Sequence, residues 1–489
     1  MYHPPSKKKQ IATRFIVSGI MTLSVILLVT ILVFLLLGYR FDSKDGELTQ
    51  VGFMQYDTVP NGATVEVDGE TLSGNTPTKG SVLPGTHEFV MWDNGYETWR
   101  KSLTIASGTL TWLDYARLIP KERPVESVIS VDSLSDSLAS PGGRFMIAQT
   151  APSAASFVLF DLRDGEDVTQ ETLTLPADIY SQAEETEVNH QFRLMEWDQS
   201  GRYVLVEHRY DDASEWLVVD TEDITETTNV SESLNVDIDE AHLSGTNGSI
   251  LYAKTGGDVR KLDLLNGTIS RPLASNVDSF SLYGSNTVSY VTLPSADEPK
   301  QRTVGVVTEG DERPLVLRTV TNPDVSLEVA TTRYFDQDYV VIAEGKKIEV
   351  LRGDYPTLPE DLKTSLRLYA EFEFSRDVQW LDISDNGRFV LVQTGDRFTS
   401  YDLERMTLAP EATLAGEGAS RQLQWLDNYY VWSDRSGQIA MREFDGANQH
   451  MINDVVPGFD ATLSTNNEFL YSIGKTEDGF QLQRVKLIL

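Results

Sequence analysis

A short pattern that recurs along residues 125–489 limits the folds open to this chain more than any other feature. Each copy is a polar turn with glycine or asparagine, followed by an apolar strand and then by another strand. The clearest copies begin at Ser140 (S-P-G-G-R), Asp198 (D-Q-S-G-R) and Ser384 (S-D-N-G-R). Eight such turns lie 37 to 58 residues apart, close to the length of a four-stranded propeller blade. The spacing predicts a β-propeller with eight blades or, because the fourth and fifth copies are irregular, seven.

Closure of a ring would explain an isolated strand at the start of this region. The last copy supplies three strands, at 459–464, 468–474 and 480–489, whereas residues 125–131 form a strand that precedes the first turn. If this first strand completed the last blade, it would remove the exposed edges that favour aggregation. The S-P-G-G-R and S-D-N-G-R turns resemble the WD40-like repeat of TolB-type propellers, which implies the same all-β architecture.

The first 40 residues differ from the rest in charge and hydropathy. No residue from Phe15 to Tyr39 is charged. A helix that rises ~1.5 Å per residue covers ~35 Å over residues 15–37, enough to cross a bilayer core of ~30 Å. A cleaved signal peptide is the alternative, but its apolar region is shorter, about 7–15 residues, and ends in an A-x-A-like pattern that is not found here. We predict a retained transmembrane helix over 15–39 that contacts the lipid bilayer.

The charge distribution predicts the orientation of this helix. The first 40 residues hold five cations and no acid, and four of the cations lie within residues 7–14. Basic flanks resist translocation, so residues 1–14 are predicted to form a cytoplasmic tail. The formal net charge of −33 for the whole chain becomes −38 for residues 41–489, which are predicted to lie outside the cell membrane. This charge argues against nucleic acid as a partner, because a phosphate-binding surface must be positive.

Residues 48–120 predict a small β module between the helix and the repeats. Apolar and polar residues alternate over 63–67, and an Asp-Gly turn follows. Further strands of an antiparallel sandwich are predicted at 86–92, 97–105 and 110–118. The P-N-G-A, D-G, T-P, L-P-G and G-Y segments resemble the PEGA domain, with Asn61 in the place of glutamate. The resemblance implies a β-sandwich common in surface and envelope proteins, often beside a membrane anchor, with no established catalytic role.

The aromatic residues of these regions have different predicted roles. Trp99 falls on the apolar side of its strand and is predicted to be buried. Trp92 and Tyr96 lie beside a turn, so we expect them to be exposed, and they are the two candidate ligand contacts. Tryptophans that precede a turn of the repeat are predicted to plug the blade cores rather than to form a ring of binding platforms: Trp197, Trp380 and Trp425.

Motifs for catalysis, metal binding and cofactor binding are missing from the sequence. The chain has no cysteine, and its six histidines include no pair with metal-binding spacing. It contains no G-x-S-x-G nucleophile motif, no Walker-type phosphate loop and no G-x-G-x-x-G segment. No catalytic, cofactor-binding or metal-binding residue is predicted, and we expect the protein not to be an enzyme.

Three functions remain open from the sequence. The one we expect is a non-catalytic binding or scaffolding protein of the cell envelope, whose propeller presents a broad face to a protein or glycan partner. A second is a signalling or envelope-assembly subunit that acts through its membrane helix, where Ser18, Gly19 and Thr22 offer a small-residue interface. A third is an envelope enzyme with a site on the propeller loops, which would show carboxylates of strongly shifted pKa at the channel mouth.

Overall fold

The computed structural model describes residues 7–41, 48–182, 189–296, 298–311, 313–356, 365–419 and 421–489. The chain divides into two compact units between Glu122 and Arg123. Part of the predicted cytoplasmic tail, residues 1–6, lies outside the described residues.

The N-terminal unit begins with a long apolar helix. Helix α1 spans Lys7–Leu36, and within the described residues its segment Ile11–Leu36 is the one stretch of helix long and apolar enough to cross a membrane. None of that segment is buried against protein. The helix starts before the predicted residue 15, because lysine, glutamine and alanine are good helix formers that continue its backbone hydrogen bonds. It ends before the predicted residue 39, because Gly38 adopts a left-handed φ of +79°.

Nine strands follow among the described residues of this unit. They are β1 (Tyr39–Phe41), β2 (Leu48–Gln50), β3 (Gly52–Val59), β4 (Thr64–Val67), β5 (Glu70–Asn75), β6 (Thr78–Val82), β7 (Gly85–Trp92), β8 (Trp99–Ile105) and β9 (Leu110–Arg117). β1 and β2 pair with each other, and the other seven form two sheets with the orders β6-β3-β9 and β5-β4-β7-β8.

The two sheets enclose an aromatic core. Tyr56 of β3 packs against Phe89 of β7 with ring centroids 6.0 Å apart, and Trp99 of β8 packs against Tyr115 of β9 at 6.3 Å. Trp99 is buried, as predicted. The prediction of an antiparallel arrangement is wrong for one ladder, since β3 and β9 pair in parallel. The parallel pairing is possible because five strands separate β3 from β9 and give the chain the length of a crossover connection.

The second unit contains eight sheets within its described residues. The first strand, β10 (Val125–Val131), belongs to the last sheet. Sheet 1 consists of β11 (Asp136–Ala139), β12 (Phe145–Gln149), β13 (Ser156–Asp161) and β14 (Thr169–Thr174), and sheet 2 consists of β15 (His190–Trp197), β16 (Tyr203–Tyr210), β17 (Ala213–Asp220) and β18 (Thr228–Asn229). Sheet 3 consists of β19 (Glu240–Leu243), β20 (Ile250–Thr255), β21 (Asp258–Asp263) and β22 (Thr268–Ile269), and sheet 4 consists of β23 (Val277–Tyr283), β24 (Thr287–Thr292), β25 (Arg302–Thr308) and β26 (Leu315–Val320). A short helix α2 (Val230–Leu234) follows sheet 2.

Sheets 5 to 8 complete the unit. Sheet 5 consists of β27 (Leu327–Tyr334), β28 (Gln337–Glu344), β29 (Lys347–Gly353) and β30 (Leu366–Glu373), and sheet 6 consists of β31 (Trp380–Ile383), β32 (Phe389–Thr394), β33 (Arg397–Asp402), β34 (Thr407–Leu408) and the added β35 (Ala412–Thr413). Sheet 7 consists of β36 (Gln424–Trp425), β37 (Tyr430–Ser433), β38 (Gln438–Glu443) and β39 (His450–Asp454), and sheet 8 consists of β40 (Thr462–Leu463), β41 (Phe469–Lys475), β42 (Phe480–Lys486) and β10.

The recurring turn joins the first and second strands of a sheet and is held by local hydrogen bonds. The side chain of its first residue accepts a hydrogen bond from the backbone amide five positions later. The four donor–acceptor distances are 2.9–3.0 Å, for Phe145 to Ser140, Tyr203 to Asp198, Phe389 to Ser384 and Phe469 to Ser464. A glycine near the end of the turn has a φ of +71° at Gly201 and +74° at Gly387, a region that favours glycine. The turn residues therefore recur for local structural reasons.

An ion pair fixes the turn to the far end of the third strand in two sheets. Arg202, which follows the turn glycine of sheet 2, pairs with Asp220 at 2.6 Å. In the same way Arg388 of sheet 6 pairs with Asp402 at 2.7 Å. Each aspartate also accepts backbone amides of the turn that follows it. This pair explains why arginine and aspartate recur at the two positions.

Consecutive sheets pack face to face, and the last sheet packs onto the first. Phe157 of sheet 1 and Val206 of sheet 2 belong to one buried cluster, and shared clusters or side-chain hydrogen bonds connect each later pair. Tyr471 of sheet 8 and Phe160 of sheet 1 share a further cluster. β10 pairs antiparallel with β42, so the predicted closing strand is confirmed. The second unit is a β-propeller closed by strands from both ends of the region.

Candidate functional site

Two adjoining cavities lie where the first strands of the propeller sheets meet. β11 lies beside β15, and β27 lies beside β31. Cavity A, of about 620 Å³, is lined largely by the recurring turns and first strands of sheets 1, 7 and 8. Cavity B, of about 570 Å³, is lined largely by the first strands of sheets 4, 5 and 6. Asp385, in the turn of sheet 6, lines both cavities.

Cavity B contains two carboxyl groups that hold their protons unusually tightly. Burial raises the pKa of Glu328 on β27 to about 7, and Asp278 adds to this effect while Arg302 opposes it. Burial raises the pKa of Asp382 on β31 to about 6, although a hydrogen bond from the Ile383 amide opposes the shift. Both groups change charge near neutral pH, so the cavity combines polar lining with proton donors and acceptors.

Cavity A is lined by a third partly buried acid, Asp460, and by two tryptophans. Asp460 accepts a hydrogen bond from the Ala139 amide at 3.0 Å, which joins the segment before β40 to β11. Burial raises the pKa of Asp460 above its usual range. Trp197 is buried and donates its Nε1 hydrogen to the carbonyl of Leu138 at 3.0 Å, whereas Trp425 is half-buried at the cavity wall. Asp460 and Trp197 both connect neighbouring sheets and line the cavity.

A histidine with two carboxylates lies beside cavity A. His242 of β19 contacts Glu196 at 2.9 Å through Nδ1 and Glu240 at 3.6 Å through Nε2. Burial lowers the pKa of His242, but the two carboxylates outweigh it and raise the value to about 9. Lys254 pairs with Glu240 at 3.1 Å. Among the described residues no group of three or more histidine and acidic side chains is arranged to hold a metal ion.

A second histidine network is buried in sheet 2, where sequence reasoning found no site. His208 contacts Glu215 at 2.7 Å and His190 at 2.9 Å. Glu215 also accepts hydrogen bonds from Asn229 and Ser181. Burial opposes ionisation of Glu215, but these partners outweigh it and lower its pKa to about 2. The network was missed because its members are spread over residues 181–229, and the pairing of β15, β16 and β17 brings the two histidines and Glu215 together.

The structure separates the two predicted ligand contacts. Trp92 ends β7 and is 38% exposed, with its Nε1 3.3 Å from Glu66 Oε1. Tyr96 is buried, so the expectation that it is exposed is wrong. The reason is that the turn at 93–96 folds back, where Tyr96 bridges to Pro120. Ligand contact stays a prediction for both residues, and of the two only Trp92 has the exposure that we expected for it.

The predicted role of the propeller tryptophans as core plugs fits Trp197 best. Trp197 is buried against Phe145, with ring centroids 6.4 Å apart. Trp380 and Trp425 are half-buried, and Trp425 packs against the cluster shared by sheets 6 and 7. None of the three is among the exposed large apolar residues of the described chain.

The profile of the PEGA domain matches residues 54–118. The chain carries a PEGA domain. The match falls on β3 to β9 and on the first residue after β9, so it covers both sheets of the N-terminal β module. A search of curated proteins finds no match.

Solved structures resemble the propeller at low sequence identity. The C-terminal WD40 domain of Sif2 aligns with a TM-score of 0.45 and 10% identity, over 75% of this chain and 98% of that chain. The Dos1 propeller aligns with a TM-score of 0.45 and 12% identity, over 74% and 94%. AztD from Citrobacter koseri aligns with a TM-score of 0.38 and 10% identity, over 80% and 94%. The assignment of a propeller here depends on the sheet order and packing of this chain itself.

Proposed function

We propose that this protein is a non-catalytic binding or scaffolding protein of the cell envelope. In this proposal α1 anchors it in the cell membrane with the N-terminus in the cytoplasm, and the PEGA domain and the propeller lie outside. The observation that carries the proposal is the pair of adjoining cavities at the centre of the propeller, which together offer more than 1000 Å³. The turns that border them are short and internally hydrogen-bonded, which favours a preformed binding face.

A protein segment is a better-supported partner than a glycan. Sugar binding commonly uses an exposed aromatic face. Cavity B offers one such side chain, Tyr283, which is 38% exposed, and the exposed tryptophans of the described chain, Trp92 and Trp112, belong to the PEGA domain, so the charge of the cavity lining decides between the two partners. Acidic side chains border the cavities, among them Asp385 and Asp427. A partner that presents lysine or arginine would complement this lining, and the −38 charge of residues 41–489 would speed its approach.

Capture from intact cells with a matched pair of charge reversals tests this proposal. Residues 41–489 serve as bait, and both proteins and glycans among the captured material are analysed. The Asp385→Lys variant should lose the partner, because the new cation repels a basic segment at the border of both cavities. The Asp478→Lys variant changes the net charge equally but lies between β41 and β42, at the opposite end of the strands from the recurring turn. Equal capture by both variants would contradict binding at the cavities.

An enzyme with a site in cavity B is a second candidate. The observation that favours it is the presence of Glu328 and Asp382, with pKa values of about 7 and 6, in the lining of one cavity. Acid–base catalysis uses carboxyl groups tuned in this way. Hydrolysis of a panel of fluorogenic glycosides by residues 41–489, abolished in the Glu328→Gln variant, would replace the non-catalytic proposal with this one.

A further inference from the structure

The outer face of the smaller PEGA sheet carries three exposed apolar side chains. Phe53 of β3 is 38% exposed, and Leu110 and Trp112 of β9 are 58% and 44% exposed. The parallel register places Phe53 opposite Leu110 and Gln55 opposite Trp112. Residues two apart in a strand point to the same face, so the three side chains form one surface. We call Phe53, Leu110 and Trp112 the apolar patch.

The apolar patch starts at the end of helix α1. The Val51 amide donates to the carbonyl of Gly38 at 2.9 Å, and the Gln50 side chain donates to the carbonyl of Leu37 at 2.9 Å. The Phe53 ring covers Gly38 so closely that an added Cβ would lie 2.7 Å from Phe53 Cζ. The end of the apolar helix is therefore joined directly to the strand that carries the patch.

The polarity of this face changes in steps away from the helix. The first row across the sheet is Ser81, Phe53 and Leu110, and the second is Lys79, Gln55 and Trp112. The next outward residues along β3 and β9 are Asp57 and Asp114. Each row is ~7 Å farther along the strands, so the acids lie ~13 Å beyond the first row.

This order matches the layers of a membrane surface. The headgroup layer on each side of a bilayer is about 5–8 Å thick, and tryptophan concentrates there. Lysine beside it can reach lipid phosphates, whereas carboxylates are repelled by them. The apolar row would then lie at the boundary of the acyl chains, and the row with tryptophan and lysine would lie among the headgroups. The acidic row would lie in water.

We propose that the apolar patch lies in the headgroup layer of the bilayer that α1 crosses, so that the PEGA domain is seated on lipid. The proposal requires α1 to span the membrane, and it is independent of what the propeller binds. Lipid is the occupant because the patch is continuous with the apolar helix and its polarity changes along the direction that leads away from it. Seating would hold the first folded domain at a fixed height above the membrane.

Site-directed spin labelling tests the seating directly, since the chain has no cysteine to remove. The full chain is reconstituted in nanodiscs of phosphatidylcholine and phosphatidylglycerol, with one label attached through Leu110→Cys or Trp112→Cys. Collision with oxygen, which enters lipid, is compared with collision with a water-soluble nickel chelate. The control is Trp92→Cys, because Trp92 is 38% exposed but lies on the other PEGA sheet. A label at Leu28→Cys reports whether α1 is in the bilayer.

The ratio of oxygen to nickel collisions should be several-fold higher at positions 110 and 112 than at position 92. Adding Trp112→Glu to the Leu110→Cys chain should lower its ratio towards that of position 92, because a carboxylate leaves the headgroup layer. If position 28 is in lipid while positions 110 and 112 match position 92, the seating is wrong and the anchor stands. If position 28 is open to water, both the anchor and the seating are wrong.

Discussion

Replacing the aspartate of a buried ion pair should destabilise the propeller far more than replacing the aspartate of an exposed ion pair in another sheet. In sheet 6 the Arg388 side chain is 8% exposed and its Asp402 partner 5%, and two hydrogen bonds of 3.0 and 2.7 Å join them. Asp402→Asn keeps the size of the side chain but removes the charge that balances a buried guanidinium. Loss of one partner of a buried pair costs about 3–5 kcal/mol. Glu404, at 2.5 Å from Arg388, retains part of the balance, so we expect about 3 kcal/mol.

Sheet 1 supplies the matched control. Asp161 also ends the third strand of its sheet and also binds an arginine through both of its carboxylate oxygens, but Arg163 is 56% exposed. Asp161→Asn should therefore cost at most about 1 kcal/mol, the usual range for exposed pairs. Urea unfolding of residues 41–489, followed by tryptophan fluorescence and by circular dichroism, measures both losses at neutral pH. Similar losses for the two variants, or a loss below about 1 kcal/mol for Asp402→Asn, would refute burial as the source of the difference.

Three further outcomes are expected. The folded-state pKa of Glu328 lies above the ordinary 4.5, so its stabilising effect is present below about pH 4.5 and is lost as the pH rises to about 7. The free energy of unfolding of the Glu328→Gln variant, measured with urea at pH 4 and pH 8, should therefore rise by about 1–2 kcal/mol relative to that of the wild type between the two pH values. A difference that does not change with pH would contradict the raised pKa. Gly387→Ala should lower the free energy of unfolding by about 3 kcal/mol, because its Cβ would lie 2.6 Å from the Arg333 carbonyl oxygen. Gly437→Ala, which has a similar φ but open space around its Cβ, should lower it by only about 1–2 kcal/mol. If the two variants lowered the melting temperature equally, the steric cause would be excluded. Residues 41–489 should pass through a heparin column at physiological salt because of their −38 charge, and retention would show a basic surface that the sequence does not predict.

Much of the fold could be predicted because its determinants are local. A turn such as that at Ser384 is made by hydrogen bonds within six residues and by one glycine with positive φ, so its residue types recur at each copy. The number of residues between copies then predicted four-stranded sheets, and the unpaired segment 125–131 predicted ring closure. The apolar length of α1 and the alternation around Trp99 are also properties of short segments.

The candidate site could not be predicted in the same way. Glu328 and Asp382 come from different sheets, and nothing in their neighbouring residues shows that both will line one cavity. Their raised pKa values depend on how much water the remaining sheets exclude. The same holds for His208 and Glu215, whose contact follows from strand register.

The sequence alone determined which segments are helix, turn and strand, because hydropathy period and turn chemistry act over a few residues. The tertiary structure decided which acids line the propeller cavities, that Tyr96 is buried, and that Phe53, Leu110 and Trp112 form one surface beside the end of α1. These properties depend on contacts between strands far apart in the chain. Burial and register are set only when the sheets pack, so they carry no signal within any single segment.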